Sequence, residues 1–207
     1  FKYAFILMNN MIIMVATVAV FFDFGGVDGT PATFQDTTSL GPPNLRFKTA
    51  DDATIDNQNP IPIPSGAAIN SFWKSIYLKI TGGTFTQIDN VKFYTDGGGF
   101  GTGITTYVGD QLPVKNSGAN TGYVIATGTT GTSGDAMVTS HAGISAQTDA
   151  FTFTSGSPLS ITISEAGGLM DASGETTNYL VTQMNVASTA GPGNLADETW
   201  TYQYDEI

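Results

Sequence analysis

Period-two alternation of apolar and polar side chains is the feature that most limits how this chain folds. In residues 71–80, SFWKSIYLKI, the isoleucines and the leucine alternate with Tyr77 and Lys79. The same alternation recurs in short segments bounded by Gly, Asn and Pro. Successive side chains of a strand point to opposite faces of a sheet, so this pattern predicts strands rather than helices.

The predicted strands are short, and turn residues separate them at the irregular spacing typical of a β-sandwich. They lie at residues 15–24, 45–49, 72–80, 89–94, 104–108, 123–127, 151–153, 159–163, 179–186 and 200–204. The alternating prolines of residues 60–64 predict an edge strand or a polyproline segment. We therefore predict an all-β fold, a β-sandwich or jelly roll, with a hydrophobic N-terminal arm at residues 1–26 and the sandwich domain at residues 27–207.

Composition excludes several classes of function. The chain has no cysteine, which rules out disulfide frameworks and thiolate metal sites. Its formal net charge is −11, and its seven basic residues are scattered singly. Because binding to phosphate groups needs clustered Lys and Arg, we predict that nucleic acid is not a partner and that anionic membranes are disfavoured.

Residues 1–22, FKYAFILMNNMIIMVATVAVFF, form the one long apolar block. As a helix the block would be about 33 Å long, enough to span a bilayer. As a hairpin it would turn at Asn9 and Asn10, with a strand continuing to Phe24. Both alternatives stay open for residues 1–13, whereas β-branched and aromatic residues favour a strand at residues 15–24. In either form we expect the block to be buried by a neighbouring subunit, by the chain's own sheet or by lipid. The predicted assembly arm consists of Phe1, Tyr3, Phe5, Ile6, Leu7, Met8, Met11, Ile12 and Ile13.

Two features could carry chemistry but are better explained structurally. His141 is the only histidine and stands in a Gly-, Ser- and Thr-rich segment, so we expect an exposed loop histidine rather than a catalytic or zinc-binding one. The glycines of residues 97–103 lack the lysine of a phosphate-binding loop, and we expect them to form a tight hairpin. No catalytic residue is predicted, and the chain is expected not to be an enzyme.

Acidic and aromatic residues also have structural explanations. We predict no cofactor, and the one possibility is a loop calcium site with oxygen ligands from Asp51, Asp52, Asp56, Asn57 and Asn59, or from Asp89 and Asp96. The carboxylates of Glu165, Glu175 and Glu198 have no spacing that indicates a glycosidase pair. Trp73 and Trp200 both lie in alternating segments, so we expect core or sheet-face aromatics rather than ligand platforms.

A series of strand-and-turn stretches follows in order from Met14: MVATVAV with FGG soon after, NLRFKTADD, NPIPIP, SFWKSIYLKI, IDNVKFYTDGGGFGTGIT, GYVIATGTTGTSGD, TDAFTFTSGSPLSITIS and YLVTQMNVASTAGPGNLADETWTYQYDE. In these stretches, which cover most of the chain, the sequence resembles a group of small β-rich proteins encoded among the structural genes of tailed bacterial viruses. The resemblance implies a non-enzymatic virion protein, such as a capsid decoration (cement) protein or another head or tail accessory protein. Its implied partners are copies of itself and a major capsid or other virion protein. Residues 1–13 fall outside the resemblance.

Two other functions compete with a virion role. One is a pilin-like extracellular filament subunit with residues 1–22 as a hydrophobic helical stalk, the only alternative in which a membrane is a partner. Phe5 stands where bacterial pilins generally carry a glutamate, which disfavours that type. The other is a secreted carbohydrate-binding module with loop calcium. Both alternatives would place the protein outside the cell or on its surface rather than in a virion.

Overall fold

Two antiparallel sheets form the body of the protein in a computed structural model that describes residues 15–31, 33–36, 45–52, 54, 57–193, 195–196 and 198–207. Within these residues the larger sheet has nine strands, and the smaller sheet has three, in the order β10-β5-β12. The strands are β1 (Ala16–Phe24), β2 (Thr33–Asp36), β3 (Ile69–Asn70), β4 (Lys74–Gly83), β5 (Ile88–Thr95), β6 (Ile104–Gly109), β7 (Gly128–Thr129), β8 (Ser133–Gly134), β9 (Gln147–Asp149), β10 (Leu159–Ser160), β11 (Leu180–Val186) and β12 (Trp200–Glu206). The predicted all-β sandwich is confirmed.

The larger sheet is built around β1, β4 and β11. β1 pairs with β2 on one edge and with β4 on the other, and β4 pairs with β11. β11 also pairs with β3 and β6, and β6 pairs with β9. The short β8 joins β3 and pairs with β7. Because β1 is formed by Ala16–Phe24, the strand predicted there is confirmed, and a single helix over residues 1–22 is wrong in its second half.

Both faces of the larger sheet are covered, which produces three layers. On one face, Phe22, Leu78 and Leu180 pack against Phe93 and Met170 below the smaller sheet. On the opposite face, Phe21, Tyr77 and Tyr179 pack against residues of loops between β6 and β9, including Tyr123, Met137 and Ile144. The only α-helix among the described residues, α1 (Met137–Ser140), belongs to this loop layer. The near-continuous apolar sequence of β1 is therefore explained by burial on both sides.

Five of the predicted strands occur close to their predicted positions, as β4, β5, β6, β11 and β12. The strand predicted at residues 159–163 is reduced to β10, Leu159–Ser160. Glycines near residues 97–103 do adopt positive φ at Gly97, Gly101 and Gly103, but the hairpin predicted there is wrong. β5 belongs to the smaller sheet and β6 to the larger one, so this segment crosses between the two layers.

Three further strand predictions are wrong. Residues 45–49 and 123–127 form no strand, and residues 151–153 fall mainly in a 3₁₀ turn, Ala150–Thr152. The backbone of these three segments bonds to loop groups and side chains instead of a neighbouring strand. The Asp149 side chain, for example, accepts a hydrogen bond from Phe151 N at 3.0 Å and starts the 3₁₀ turn. Of the two alternatives for residues 60–64, the edge strand is excluded.

A glycine on β8 tests the close packing at the edge of the larger sheet. We expect Gly134→Ala to lower the free energy of unfolding by about 1–3 kcal/mol, a typical cost of overpacking. A Cβ at Gly134 would lie 2.1 Å from the Ser71 carbonyl oxygen, and that backbone cannot yield as a flexible side chain would. Urea unfolding followed by tryptophan fluorescence measures the change.

Gly66→Ala is the matched control, because a Cβ there has no neighbouring heavy atom within 4 Å. This variant should unfold at the urea concentration of the unchanged protein or slightly above it. Equal stability of the two variants would show that β8 does not pack against Ser71 as described.

Candidate functional site

His141 is buried, so the expectation of an exposed loop histidine is wrong. Only 2% of the residue is exposed, and its ring packs edge-on against Trp73 with ring centroids 5.8 Å apart. Nδ1 accepts a hydrogen bond from Gly143 N at 3.1 Å, and Nε2 has no partner among the described residues. Burial lowers the pKa of His141 to about 4. The neutral ring is thus a packing element at the end of α1.

The three glutamates weighed as glycosidase acids do not converge on a common centre in their hydrogen bonds. Glu165 accepts hydrogen bonds from Ser117 N and Thr176 N at 2.6 and 2.9 Å, which ties two loops together. Glu175 accepts from Ala172 N at 2.9 Å within its own turn. Burial is the largest cause of the raised pKa of Glu198, followed by the nearby charge of Asp96. Glu165 and Glu175 therefore serve as loop braces.

Two of the acidic residues weighed as calcium ligands are engaged by lysines. Asp51 Oδ1 lies 3.4 Å from Lys74 Nζ, and Asp52 Oδ1 lies 2.8 Å from Lys48 Nζ. Burial raises the pKa of Asp51 and lowers that of Lys74. The pair of Asp51 with Lys74 fastens the loop at residues 48–52 to the start of β4, and the pair of Lys48 with Asp52 lies within that loop.

The remaining calcium candidates are dispersed. Asp89 accepts a hydrogen bond from Gln87 Nε2 at 2.9 Å, and Asp96 accepts one from Gly98 N at 2.9 Å. Asp56 lies outside the described residues. Across the part of the chain that the structure describes, no three His, Cys, Asp or Glu side chains are gathered as a metal site would need. The absence of a cofactor, with loop calcium as the one alternative, stays a prediction.

A buried ionic cluster, not predicted from the sequence, lies on the loop-covered face of the larger sheet. Asp23 at the end of β1 accepts hydrogen bonds from the hydroxyls of Tyr77 and Tyr179 at 3.2 and 2.5 Å. Lys115 Nζ lies 3.8 Å from Asp23 Oδ2 and 4.3 Å from the centre of the Tyr77 ring. Asn120 Oδ1 accepts a hydrogen bond from the same ammonium group. Asp23 and Lys115 are only 2% and 6% exposed.

The charges of this cluster are costly to bury. Burial raises the pKa of Asp23 and lowers that of Lys115, while each group's attraction to the other acts in the opposite direction. A polar cleft of about 580 Å³ opens above the cluster and is bordered by the turn at residues 116–120. The hydroxyl, ammonium and carboxylate groups satisfy one another, so the arrangement is that of a structural ion pair linking a loop to β1.

A groove of about 1110 Å³ lies between the two sheets, and its lining is more apolar than polar, although Arg46, Lys48 and Glu198 also border it. Its floor is the larger sheet, where Val20, Ile76 and Met184 face it, and one wall is Trp200 and Tyr202 of β12. Further apolar side chains come from the loops around it: Leu45, Phe47, Ile61, Ile63, Phe100 and Leu195. Ile63 and Leu195 at the rim are 42% and 38% exposed. The two sheets therefore do not close over each other here.

The strand that borders this groove has an open edge. Within the described residues β12 pairs with β5 alone, along Trp200–Glu206. Alternate N–H and C=O groups of an edge strand point away from its one partner and can accept another strand. The Tyr202 hydroxyl is buried and has no hydrogen-bond partner in the described part of the chain. The groove and this edge together form the candidate functional site, an interaction surface.

Sequence reasoning located some residues of this surface but not the surface itself. Trp73 is a core residue as expected, with its indole N–H donating to Val124 O at 3.0 Å. Trp200 packs on Phe93 and Phe47 and also borders the groove, so its predicted place on a sheet face is confirmed. The nine predicted assembly-arm residues from Phe1 to Ile13 lie outside the described residues, and their role stays a prediction.

No family model matches the chain, and neither a curated protein nor a solved structure matches it. Among the residues that the structure describes, no helix is long and apolar enough to cross a membrane.

Replacing Lys115 tests the buried ion pair. We expect Lys115→Met to lower the free energy of unfolding at neutral pH by about 3–5 kcal/mol, because Asp23 then stays buried without a cation. In the folded variant the uncompensated Asp23 carboxylate should bind a proton more tightly than it does in the unfolded chain. The loss of unfolding free energy should therefore shrink as the pH falls toward the range in which carboxyl groups titrate. Urea unfolding at several pH values measures it.

Two further variants control this experiment. Lys92→Met removes a lysine from a partly exposed position on β5 and should change stability little. Asp23→Asn combined with Lys115→Met removes both charges and should recover much of the lost stability. A double variant as unstable as Lys115→Met would contradict a cost that arises from an unpaired carboxylate.

His141 gives a pH test with the opposite sign. Its folded pKa of about 4 lies below the ordinary value of 6.5, so protonation favours the unfolded chain and stability falls as the pH drops. Relative to His141→Asn, we expect the unchanged protein to lose about 2 kcal/mol between pH 7 and about pH 5. Parallel pH-dependent slopes for the two proteins would show that the histidine ring is accessible to water.

Proposed function

We propose that this protein is a non-enzymatic structural subunit of a virus particle, either a capsid decoration (cement) protein or another head or tail accessory protein. In this proposal it assembles with copies of itself and with a major capsid or other virion protein, and it is located in the virion. The apolar groove beside the open edge of β12 is the observation that carries the proposal. Surfaces of this kind are suited to holding a polypeptide segment, which is what an assembly subunit must do.

The use of polar side chains supports a structural role. His141 is buried and neutral, and Glu165 and Glu175 brace loops. Lys74 and Lys115 are paired with the aspartates Asp51 and Asp23. Charged groups that are already satisfied by neighbours have little capacity to bind and convert a substrate. The groove instead offers apolar side chains and unpaired backbone, which are the means of protein–protein contact.

The apolar segment supplies the second half of the argument. Residues 1–13 contain all nine of the large apolar or aromatic side chains that define the assembly arm. Exposed together they would form a patch larger than the few hundred Å² that soluble monomers expose, and in this proposal a neighbouring subunit buries them. The resemblance to β-rich virion proteins is consistent with a particle in which many copies provide such surfaces.

Deleting residues 1–13 tests the proposed role. The shortened protein should keep its fold, because Ala16–Phe24 still supplies β1 and its pairing with β4. We expect it to lose self-association and incorporation into particles, because the apolar side chains that require burial are gone. Light scattering coupled to size-exclusion chromatography measures the oligomeric state, and circular dichroism checks the fold.

Val27→Ser is the control for loss of apolar surface elsewhere, since Val27 is 63% exposed and lies outside the groove. It should assemble like the unchanged protein. A full chain that is monomeric without detergent, or a shortened protein that still assembles, would overturn the proposal. A full chain that stays in solution only with detergent would instead favour a lipid-bound role for residues 1–13.

A further inference from the structure

We propose that residues 1–13 of one copy bind a second copy as an added β-strand, along the free edge of β12 with their apolar side chains in the groove. This inference rests on the proposed function and specifies its partner: the occupant of the groove is a second copy of this chain. Addition of a strand to an open edge combines backbone hydrogen bonds with pockets for alternate side chains.

The edge of β12 has the properties that strand addition requires. It is seven residues long, Trp200–Glu206, and among the described residues it pairs with β5 alone. Its charged side chains, Asp205 and Glu206, are confined to one end. Edge strands that avoid pairing usually carry lysine, proline or an inward-pointing charge along their length. The Trp200–Gln203 part of β12 carries none of these.

The groove supplies the side-chain pockets. Trp200 and Tyr202 alternate with Thr201 and Gln203, so the two side chains of the edge strand that line the groove share one of its faces. A strand added beside β12 would direct its own alternate side chains into the same space.

Residues 1–13 match this site in composition and length. Extended, thirteen residues span about 43 Å, while the seven residues of β12 span about 23 Å. The segment has one charged residue, Lys2, which can reach the acidic end of the strand or solvent. No other described or undescribed stretch of the chain outside the strands is as apolar over this length.

The position of Val15 favours residues 1–13 of a second copy, rather than those of the same copy, as the occupant of the groove. Val15 is 53% exposed, and Ala16 N donates to Glu206 Oε1 at 2.8 Å, so β1 starts at the acidic end of β12. From there β1 runs toward Val20 on the groove floor. The preceding residues would have to reverse direction immediately before Val15 to lie along the β12 of the same copy. A segment that continues outward reaches a neighbouring copy without that reversal.

A charge placed in the groove tests the acceptor half of this inference in the full-length protein. Ile63 is 42% exposed at the groove rim, so Ile63→Asp should fold normally, and we expect self-association to weaken at least tenfold. Val27→Asp is the matched control, because it adds the same charge at an exposed valine outside the groove and should not change the dissociation constant. Analytical ultracentrifugation measures both, with circular dichroism and thermal unfolding as checks of the fold.

Cross-linking between copies tests the occupant. The chain has no cysteine, so Ile6→Cys and Thr201→Cys can be produced as two separate full-length proteins and mixed with a short bismaleimide. We expect a heterodimer joining the two cysteines, and far less product when Ser140→Cys, an exposed serine on the opposite face of the larger sheet, replaces Thr201→Cys.

The outcomes separate this inference from the proposed function. If deletion of residues 1–13 abolishes self-association while Ile63→Asp and Val27→Asp behave alike, the groove inference is wrong and the assembly role survives. If the deletion has no effect either, both are wrong. A cross-link within a single copy carrying Ile6→Cys and Thr201→Cys, without one between mixed copies, would overturn the second-copy occupant and place the segment in its own groove.

Discussion

Burial of β1 on both faces is the constraint on which the rest of the structure depends. The strand pairs with β4 over most of its length, and its side chains alternate between the sandwich core and the layer of loops. Phe22 and its even-numbered neighbours pack toward the smaller sheet, while Phe21 stacks on Tyr77 on the other side with ring centroids 5.7 Å apart. Because β1 is buried on both faces, the loops between β6 and β9 form a packing layer on one of them.

Polar contacts to the end of β1 add to the apolar packing that holds the loop layer on the sheet. Asp23 lies on the same, loop-facing side of β1 as Phe21. Lys115 neutralises its carboxylate, which also accepts hydrogen bonds from two tyrosine hydroxyls. Tyr123 extends the same network, with its hydroxyl donating to Gly25 O at 2.7 Å. A buried ion pair adds little to stability compared with an apolar pair of the same volume, but it penalises every arrangement in which one partner is missing. We infer that the cluster selects one position of the loops on the sheet.

The other face of the sheet has the opposite character. The smaller sheet covers only part of it, and beyond Trp200 the apolar side chains of the larger sheet border a groove. The Trp200 side chain packs against Phe93 in the core and also borders the groove. An open strand edge beside such a groove combines unpaired backbone with uncovered apolar area, two features that an isolated sandwich normally avoids. Their coincidence is the physical basis for proposing an assembly role.

The sequence by itself determined the all-β class, the principal strands and the core positions of Trp73, Ile76 and Leu78, because period-two alternation is a local property of the backbone. It also marked residues 1–13 as a segment that needs burial. The 3₁₀ turn Ala150–Thr152 is started locally by the Asp149 side chain. Tertiary structure alone decided that residues 45–49 and 123–127 depart from strands, because their backbone bonds to distant segments, as in the hydrogen bonds from Phe72 N to Lys48 O and from Ile125 N to Asp28 Oδ1. The burial of His141, the pairing of Asp23 with Lys115 and the groove beside β12 also depended on it. Each of these joins residues far apart in the chain, and no local pattern records which distant surfaces meet or where two sheets fail to cover each other.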